Sequence, residues 1–135
     1  MGTPLAVHRA FYDAVESGDV DLMASLWVDD PATSCVHPGA TPLLGTGPIL
    51  RSWTVLMAGV GYIQFFLTDV EVTVIPESDP QTAVVVCTEN ILSDAGSVES
   101  FNGGRAVSTS VLVREDGAWR FFARHASPLL GLEES

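Results

Sequence analysis

The chain has 135 residues, enough for one domain with a sizeable core, and we predict a single domain over residues 1–135. It carries 17 acidic residues against six arginines and no lysine, which gives a net charge of −11. Nucleic acid is excluded as a partner because no cations cluster, and a membrane is excluded because no apolar run approaches the ~20 residues of a spanning helix. The N-terminus has the pattern of an amphipathic helix and not of a signal peptide, so we expect a cytoplasmic protein.

No cofactor or metal site is predicted. The two cysteines, Cys35 and Cys87, and three histidines do not have the spacing of zinc ligands. Both cysteines are expected to be buried free thiols in a reducing compartment. The absence of lysine removes Schiff-base chemistry.

The first third of the chain has helical periodicity. A first helix opens at Thr3-Pro4, where a hydroxyl cap precedes proline, and ends at Gly18. A second helix is predicted over residues 20–27 and a third from residue 46 to residue 59. A short strand is expected at the start of the loop over residues 35–39.

The hydrophobic period then changes to two, which is typical of strands. A bend is expected near Thr68-Asp69, and a loose hairpin tip over residues 94–104. The four predicted strands span residues 62–75, 82–92, 106–114 and 119–127. Helices followed by an antiparallel meander indicate an α+β fold. We expect a cone-shaped curved antiparallel sheet packed against three N-terminal helices and enclosing a pocket.

Six segments, taken in chain order, resemble one known family. They are FYDAVESGD (11–19), LWVDDP (26–31), CVHPG (35–39), residues 45–53, DGAWR (116–120) and HASP (125–128). The chain resembles a SnoaL-like protein of the nuclear transport factor 2-like superfamily, which includes ketosteroid isomerases, polyketide cyclases, dehydratases and epoxide hydrolases. The resemblance implies the cone-shaped fold and a homodimer paired through the sheet, but it does not supply the function.

His37 is the first candidate catalytic residue. The isomerases that this chain resembles have an aspartate base followed by proline near this place, and His37-Pro38 matches that pair if a short insertion is allowed. Without the insertion the match is Cys35. A histidine there could act as a base near neutral pH, whereas the alternative is a histidine that orders the loop.

His125 is the second candidate catalytic residue. Strand alternation places it on the cavity side of the last strand, with Ser127 beside it as a ligand contact. The same alternation places Arg120 and Arg124 on the opposite face. The alternative for His125 is a core histidine bonded to a neighbouring carboxylate or carbonyl.

Three further side chains are candidate ligand contacts: Tyr12, Trp53 and Ser110. The resemblance implies an oxyanion tyrosine where this chain has Phe11, one residue from Tyr12, and an acidic donor near Ser110. Because both donors are missing from their expected places, steroid isomerisation is rejected. Trp53 is either a pocket wall or a core residue.

Glu89 lies within an apolar strand, where an unpaired carboxylate is costly to bury. Alternation alone allows either orientation. Inside the pocket it would pair with His125 or His37, and outside it would meet Arg120 or Arg124. We slightly favour the outward orientation.

Two functions fit these patterns. The first is a pocket that binds a small apolar or aromatic molecule, in its catalytic form an acid–base isomerase, cyclase, dehydratase or hydrolase in which His37 and His125 shuttle protons. The second is a non-catalytic module that dimerises or binds a partner through the outer face of the sheet, where Phe122 and Val111 would be exposed. The two-histidine mechanism requires both imidazoles to face one shared void.

Overall fold

The computed structural model describes residues 2–93 and 104–129, and the helices in it begin and end close to their predicted bounds. They are α1 (Pro4–Ser17), α2 (Val20–Ser25) and α3 (Thr46–Ala58). The Thr3 hydroxyl accepts the Ala6 amide at 3.1 Å to cap α1, which ends at Gly18 in the left-handed conformation with φ 68°. No helix of the described residues is long and apolar enough to cross a membrane.

Six strands form one curved, unclosed sheet in the described part of the chain. They are β1 (Ser34–Val36), β2 (Leu43–Leu44), β3 (Ile63–Ile75), β4 (Thr82–Ser93), β5 (Arg105–Glu115) and β6 (Ala118–Pro128). The order is β2-β1-β6-β5-β4-β3, and the four long strands pair antiparallel as predicted. Because β1 runs parallel to β6, the sheet is mixed. The α+β cone is therefore confirmed, with one parallel pair and a short strand, β2, that the sequence did not indicate.

The bend predicted in β3 is confirmed. The register shifts between Thr68 and Glu71, and Asp69 has φ 54°. Residues 94–103 of the predicted hairpin tip lie outside the described residues.

The second helix ends two residues before its predicted end because the chain there joins the sheet. The Phe121 amide of β6 donates to the Leu26 carbonyl at 2.7 Å, and the Val28 amide donates to the Phe121 carbonyl at 3.0 Å. The chain from α2 to β1 is thus held along β6. The core lies between the inner face of the sheet and helices α1 and α3, and its largest fully buried side chains include Phe11, Trp53 and Phe121.

A β-bulge in β6 determines which of its side chains face the core. Leu112 of β5 pairs with Phe121 and Val111 pairs with Ala123, so Phe122 is an extra residue between two pairs. An extra residue reverses the alternation beyond it. Arg124 is consequently 3% exposed on the inner side, whereas His125 is exposed.

The predicted inward orientation of His125 and Ser127 is therefore wrong, as is the outward orientation of Arg124. The prediction assumed unbroken alternation along the strand. Trp119 and Phe121, which precede the bulge, are buried as predicted.

Two neighbouring lysine substitutions test the reversal. Ala126→Lys places a charge in the core and should lower the free energy of unfolding by more than about 2 kcal/mol. Ser127→Lys, on the exposed side, should change it by less than about 0.5 kcal/mol. Urea unfolding followed by circular dichroism measures both. The opposite order of effects would show that the alternation is unbroken.

Candidate functional site

A buried ion pair lies at the centre of the core. Arg124 Nη1 donates to Glu89 Oε2 at 2.8 Å, and the two side chains are 2% and 0% exposed. The preference for an outward Glu89 is thus wrong. Arg124, one of its predicted outward partners, is turned inward by the bulge, so the pair forms inside the sheet.

The Tyr12 hydroxyl of α1 adds a third polar group to this ion pair. Its hydroxyl donates to the same carboxylate oxygen, Glu89 Oε2, at 2.5 Å and lies 3.4 Å from Arg124 Nη1. Weaker contacts, at 3.5 to 3.7 Å, join the hydroxyl to His8, Cys87 and Ser108. We call these six residues the polar cluster: His8, Tyr12, Cys87, Glu89, Ser108 and Arg124.

The protonation states in the polar cluster follow from burial and from one cation. Burial raises the pKa of Tyr12 well above its usual value, so the hydroxyl keeps its proton and donates. Burial alone would raise the pKa of Glu89, but the charge of Arg124 and hydrogen bonds from Arg124 and Tyr12 outweigh it and lower that pKa. Burial and the Arg124 charge lower the pKa of His8 to about 4. At neutral pH the cluster therefore holds one cation and one anion, with His8 neutral.

Aromatic rings surround the rest of the guanidinium. The Arg124 Cζ atom lies 4.5 Å from the ring centroid of Phe11 and 5.9 Å from that of Trp53. Cation–π contacts of this kind offset part of the cost of burying the charge. Trp53 also meets His37 edge to face, at 4.6 Å between ring centroids. Trp53 thus contacts both the polar cluster and a second feature, a groove at the surface.

The groove has a volume of about 540 Å³ and lies between α3 and the segment that follows β1. Most of its lining is apolar and it contains one charged side chain, Arg51. The lining residues are His37, Pro38, Ala40, Thr41, Leu43, Arg51, Ser52, Val55 and Leu56. We call this feature the His37 groove.

Two local structures fix His37 in the groove. The parallel pairing of β1 with β6 places Val36 opposite His125, and His37 follows directly. The Ala40 amide then donates to the His37 carbonyl at 2.9 Å, closing a turn in which Gly39 adopts φ 76°. The backbone at His37 therefore has a defined position, and its side chain is only partly exposed.

The hydrogen bonds around His37 allow its proton to be assigned to one ring nitrogen. His37 Nε2 lies 2.8 Å from Ser52 Oγ, and the Ser52 hydroxyl donates to the Ile49 carbonyl at 2.9 Å. Because that hydroxyl has one proton and gives it to the carbonyl, we assign the donor role to His37 Nε2. Nδ1 is then an unprotonated acceptor, and it has no hydrogen-bond partner in residues 2–93 and 104–129. Burial and the charge of Arg124 lower the pKa of His37 to about 4, so the ring is neutral at pH 7.

The structure separates the predicted site residues into three places. His37 lies in the groove, and Trp53 lies beneath it. Tyr12 and Ser110 are buried in the core, where Ser110 is opposite Arg124 in the β5–β6 ladder and its hydroxyl finds no partner among the described residues. His125 and Ser127 are exposed on the other face of the sheet and do not line the groove. Among the described residues, His37 and His125 therefore do not share the groove, as the two-histidine mechanism would require.

Sequence reasoning missed several residues of this region. His8, Arg124, Ser52 and Arg51 were not predicted as site residues. Ser52 was missed because it is one of several polar residues on an amphipathic helix. Its partner, His37, is 15 residues away in the sequence. The inward orientation of Arg124 could not be predicted, because nothing in the sequence marks Phe122 as the extra residue of a bulge.

Comparison with known proteins identifies the family. The SnoaL-like domain model matches residues 5–131. The chain belongs to the SnoaL-like family. The resemblance predicted from the sequence is confirmed, and no protein of curated function matches this SnoaL-like chain.

Three solved structures illustrate its relatives. A proposed dehydratase of the nuclear transport factor 2-like family from Streptomyces avermitilis is 43% identical, with 93% of each chain covered and a TM-score of 0.82. A protein from Thiobacillus denitrificans, described as a proposed calcium/calmodulin-dependent protein kinase type II association domain, is 27% identical over 96% of this chain and 98% of that one, with a TM-score of 0.74. An uncharacterised Caulobacter vibrioides protein with a cystatin-like fold is 18% identical over 96% of this chain and 89% of that one, with a TM-score of 0.81, and it shows the fold alone.

The buried ion pair yields a prediction about stability. Glu89→Leu or Arg124→Met alone leaves an unpaired buried charge and should lower the free energy of unfolding by about 3–5 kcal/mol. The double variant removes both charges and should recover most of that loss, which a double-mutant cycle measures.

The control is the pair formed by Glu115 and Arg120, whose charged atoms are 3.9 Å apart and partly exposed. Glu115→Gln should change the stability by less than about 1 kcal/mol. Small effects of both single core variants would show that the Glu89–Arg124 pair is not buried as described.

Proposed function

We propose that this SnoaL-like protein binds a small apolar or aromatic molecule in the His37 groove and that His37 transfers a proton on that molecule without a cofactor. One observation carries the proposal: a neutral imidazole lines an apolar groove of about 540 Å³ and is held through Nε2 by Ser52, which leaves Nδ1 without a hydrogen-bond partner among the described residues. The relative from Streptomyces avermitilis, a proposed dehydratase, supports a reaction of this class.

The low pKa of His37 favours one kind of reaction. A proton taken up at Nδ1 gives an imidazolium, which burial and the charge of Arg124 disfavour. His37 would therefore hold the proton only briefly and return it to another atom of the same ligand. Return to a carbon completes an isomerisation, and return to a departing hydroxyl completes the loss of water. In both reactions the ring ends in the neutral form in which it began.

Exchange of the α-protons of 2-tetralone, an apolar aromatic ketone, tests the proton transfer. Proton NMR in D₂O should show exchange faster than in buffer alone, and His37→Gln should slow the catalysed part by about 100-fold or more. Because the pKa of His37 is about 4, the neutral base is present above that value. The catalysed rate should rise as the pH passes 4 and stay level from about pH 5 to pH 8.

His125→Gln is the matched control, since His125 is exposed on the opposite face, and it should leave the rate unchanged. Equal rates for the wild-type protein and His37→Gln would contradict the proposal. A rate that rises instead near pH 6.5, the ordinary pKa of histidine, would contradict the neutral, buried state of His37.

A second candidate function is dimerisation through the outer face of the sheet. The registers place a run of apolar side chains on that face: Val84, Val86, Val107, Val111, Val113 and Ala123. None of them is buried in the described residues, and Val86 is 37% exposed. An apolar sheet face of this kind fits a second copy of the chain, and the relative described as an association domain supports it.

Light scattering after gel filtration tests the dimer. The wild-type protein should have twice the 14.3 kDa mass of the chain, and Val111→Glu should shift it to the monomer mass. Leu5→Glu, an equally non-conservative change at an exposed position of α1, should leave the dimer intact. A wild-type monomer would contradict this second function, and circular dichroism would show whether Val111→Glu is folded.

A further inference from the structure

The arginines of this acidic chain are almost all engaged. Arg9 pairs with Asp13 and Glu16. Three more arginines, Arg114, Arg120 and Arg124, pair with Asp79, Glu115 and Glu89. Arg105 also has an interaction partner. Arg51 forms no ion pair with any residue of 2–93 or 104–129, although the sequence contains 17 acidic residues.

Arg51 lies in the His37 groove, directly before Ser52, the residue that holds His37. Its Nη1 atom lies 3.5 Å from the position that a Cβ atom would occupy on Gly47. The side chain of Arg51 therefore folds back along α3. It is exposed, and its guanidinium can therefore meet a ligand without first losing another partner.

Arg51 lies in a groove whose lining, among the described residues, contains no acidic side chain, and the first turn of α3 contains none either. His8 and His37 are neutral at pH 7, so neither adds a positive charge near the groove. In a chain of net charge −11, the groove is thus a local region with one positive charge.

We infer that Arg51 selects ligands that carry a carboxylate, so that the groove binds a small apolar or aromatic acid. A guanidinium binds a carboxylate through two parallel hydrogen bonds, which fixes the orientation of the ligand as well as its position. The apolar body of the acid would lie on Leu43, Val55 and Leu56. This inference rests on the proposed function, because it names the substrate class of the same groove.

Two probes of nearly equal shape test the inference: naphthalene-2-carboxylate and the neutral 2-naphthamide. Amide chemical-shift titrations by NMR measure the dissociation constants and map the binding site. The wild-type protein should bind the carboxylate about tenfold more tightly than the amide, with shifts at the groove residues. Arg51→Gln should abolish the preference because it weakens the binding of the carboxylate and not that of the amide. Arg51→Lys should keep part of the preference. Arg120→Gln, which changes an arginine that does not line the groove, should keep all of it.

The outcomes separate this inference from the proposed function. Equal affinities for the two probes, or a preference that survives Arg51→Gln, would overturn the role of Arg51 and leave the groove as a binding site. If neither probe shifts the groove residues and 2-tetralone exchange is not catalysed, the proposed function and this inference both fail.

Discussion

The ion pair between Glu89 and Arg124 is the interaction on which the interior of this protein depends. It brings two charges into a core whose other buried side chains, among the described residues, are apolar or neutral, and such a pair is costly to desolvate. The Tyr12 hydroxyl and the surrounding aromatic rings offset part of that cost. The pair exists because one extra residue, Phe122, turns Arg124 inward. Its charge then acts beyond the pair, since it helps to keep His8 and His37 neutral.

The fold could be predicted well from the sequence because its signals are local. Thr3, Pro4 and Gly18 mark the ends of the first helix through capping and a left-handed residue, and these effects do not depend on distant contacts. The change of hydrophobic period marks the long strands in the same way. The parallel pairing of β1 with β6 joins segments about 90 residues apart, and a three-residue strand carries too little pattern to reveal it.

The site was predicted less completely because it depends on contacts that alternation cannot describe. His37 was predicted because His37-Pro38 resembles the aspartate-proline pair of the isomerases, and the structure places it in a groove. The single bulge before His125 and Ser127 misplaced them and also hid Arg124. The orientation of Glu89 on β4 was misjudged because alternation alone left it open. The partners of His37, Ser52 and Trp53, lie on a helix, where sequence spacing shows a shared face but not which loop residue meets it. The coarse architecture is thus encoded locally, whereas the polar contacts require the register of the sheet.

His37 is a neutral, oriented imidazole that lines the groove, with its proton assigned to Nε2 and no hydrogen-bond partner for Nδ1 among the described residues. Nitrogen-15 chemical shifts of the histidine side chains, followed from pH 8 to pH 3.5 and assigned with His37→Gln, measure both the tautomer and the protonation state. We expect the Nε2-protonated neutral form for His37 down to a pKa of about 4. Protonation of His37 near pH 6.5, or a proton on Nδ1 in the neutral ring, would contradict it.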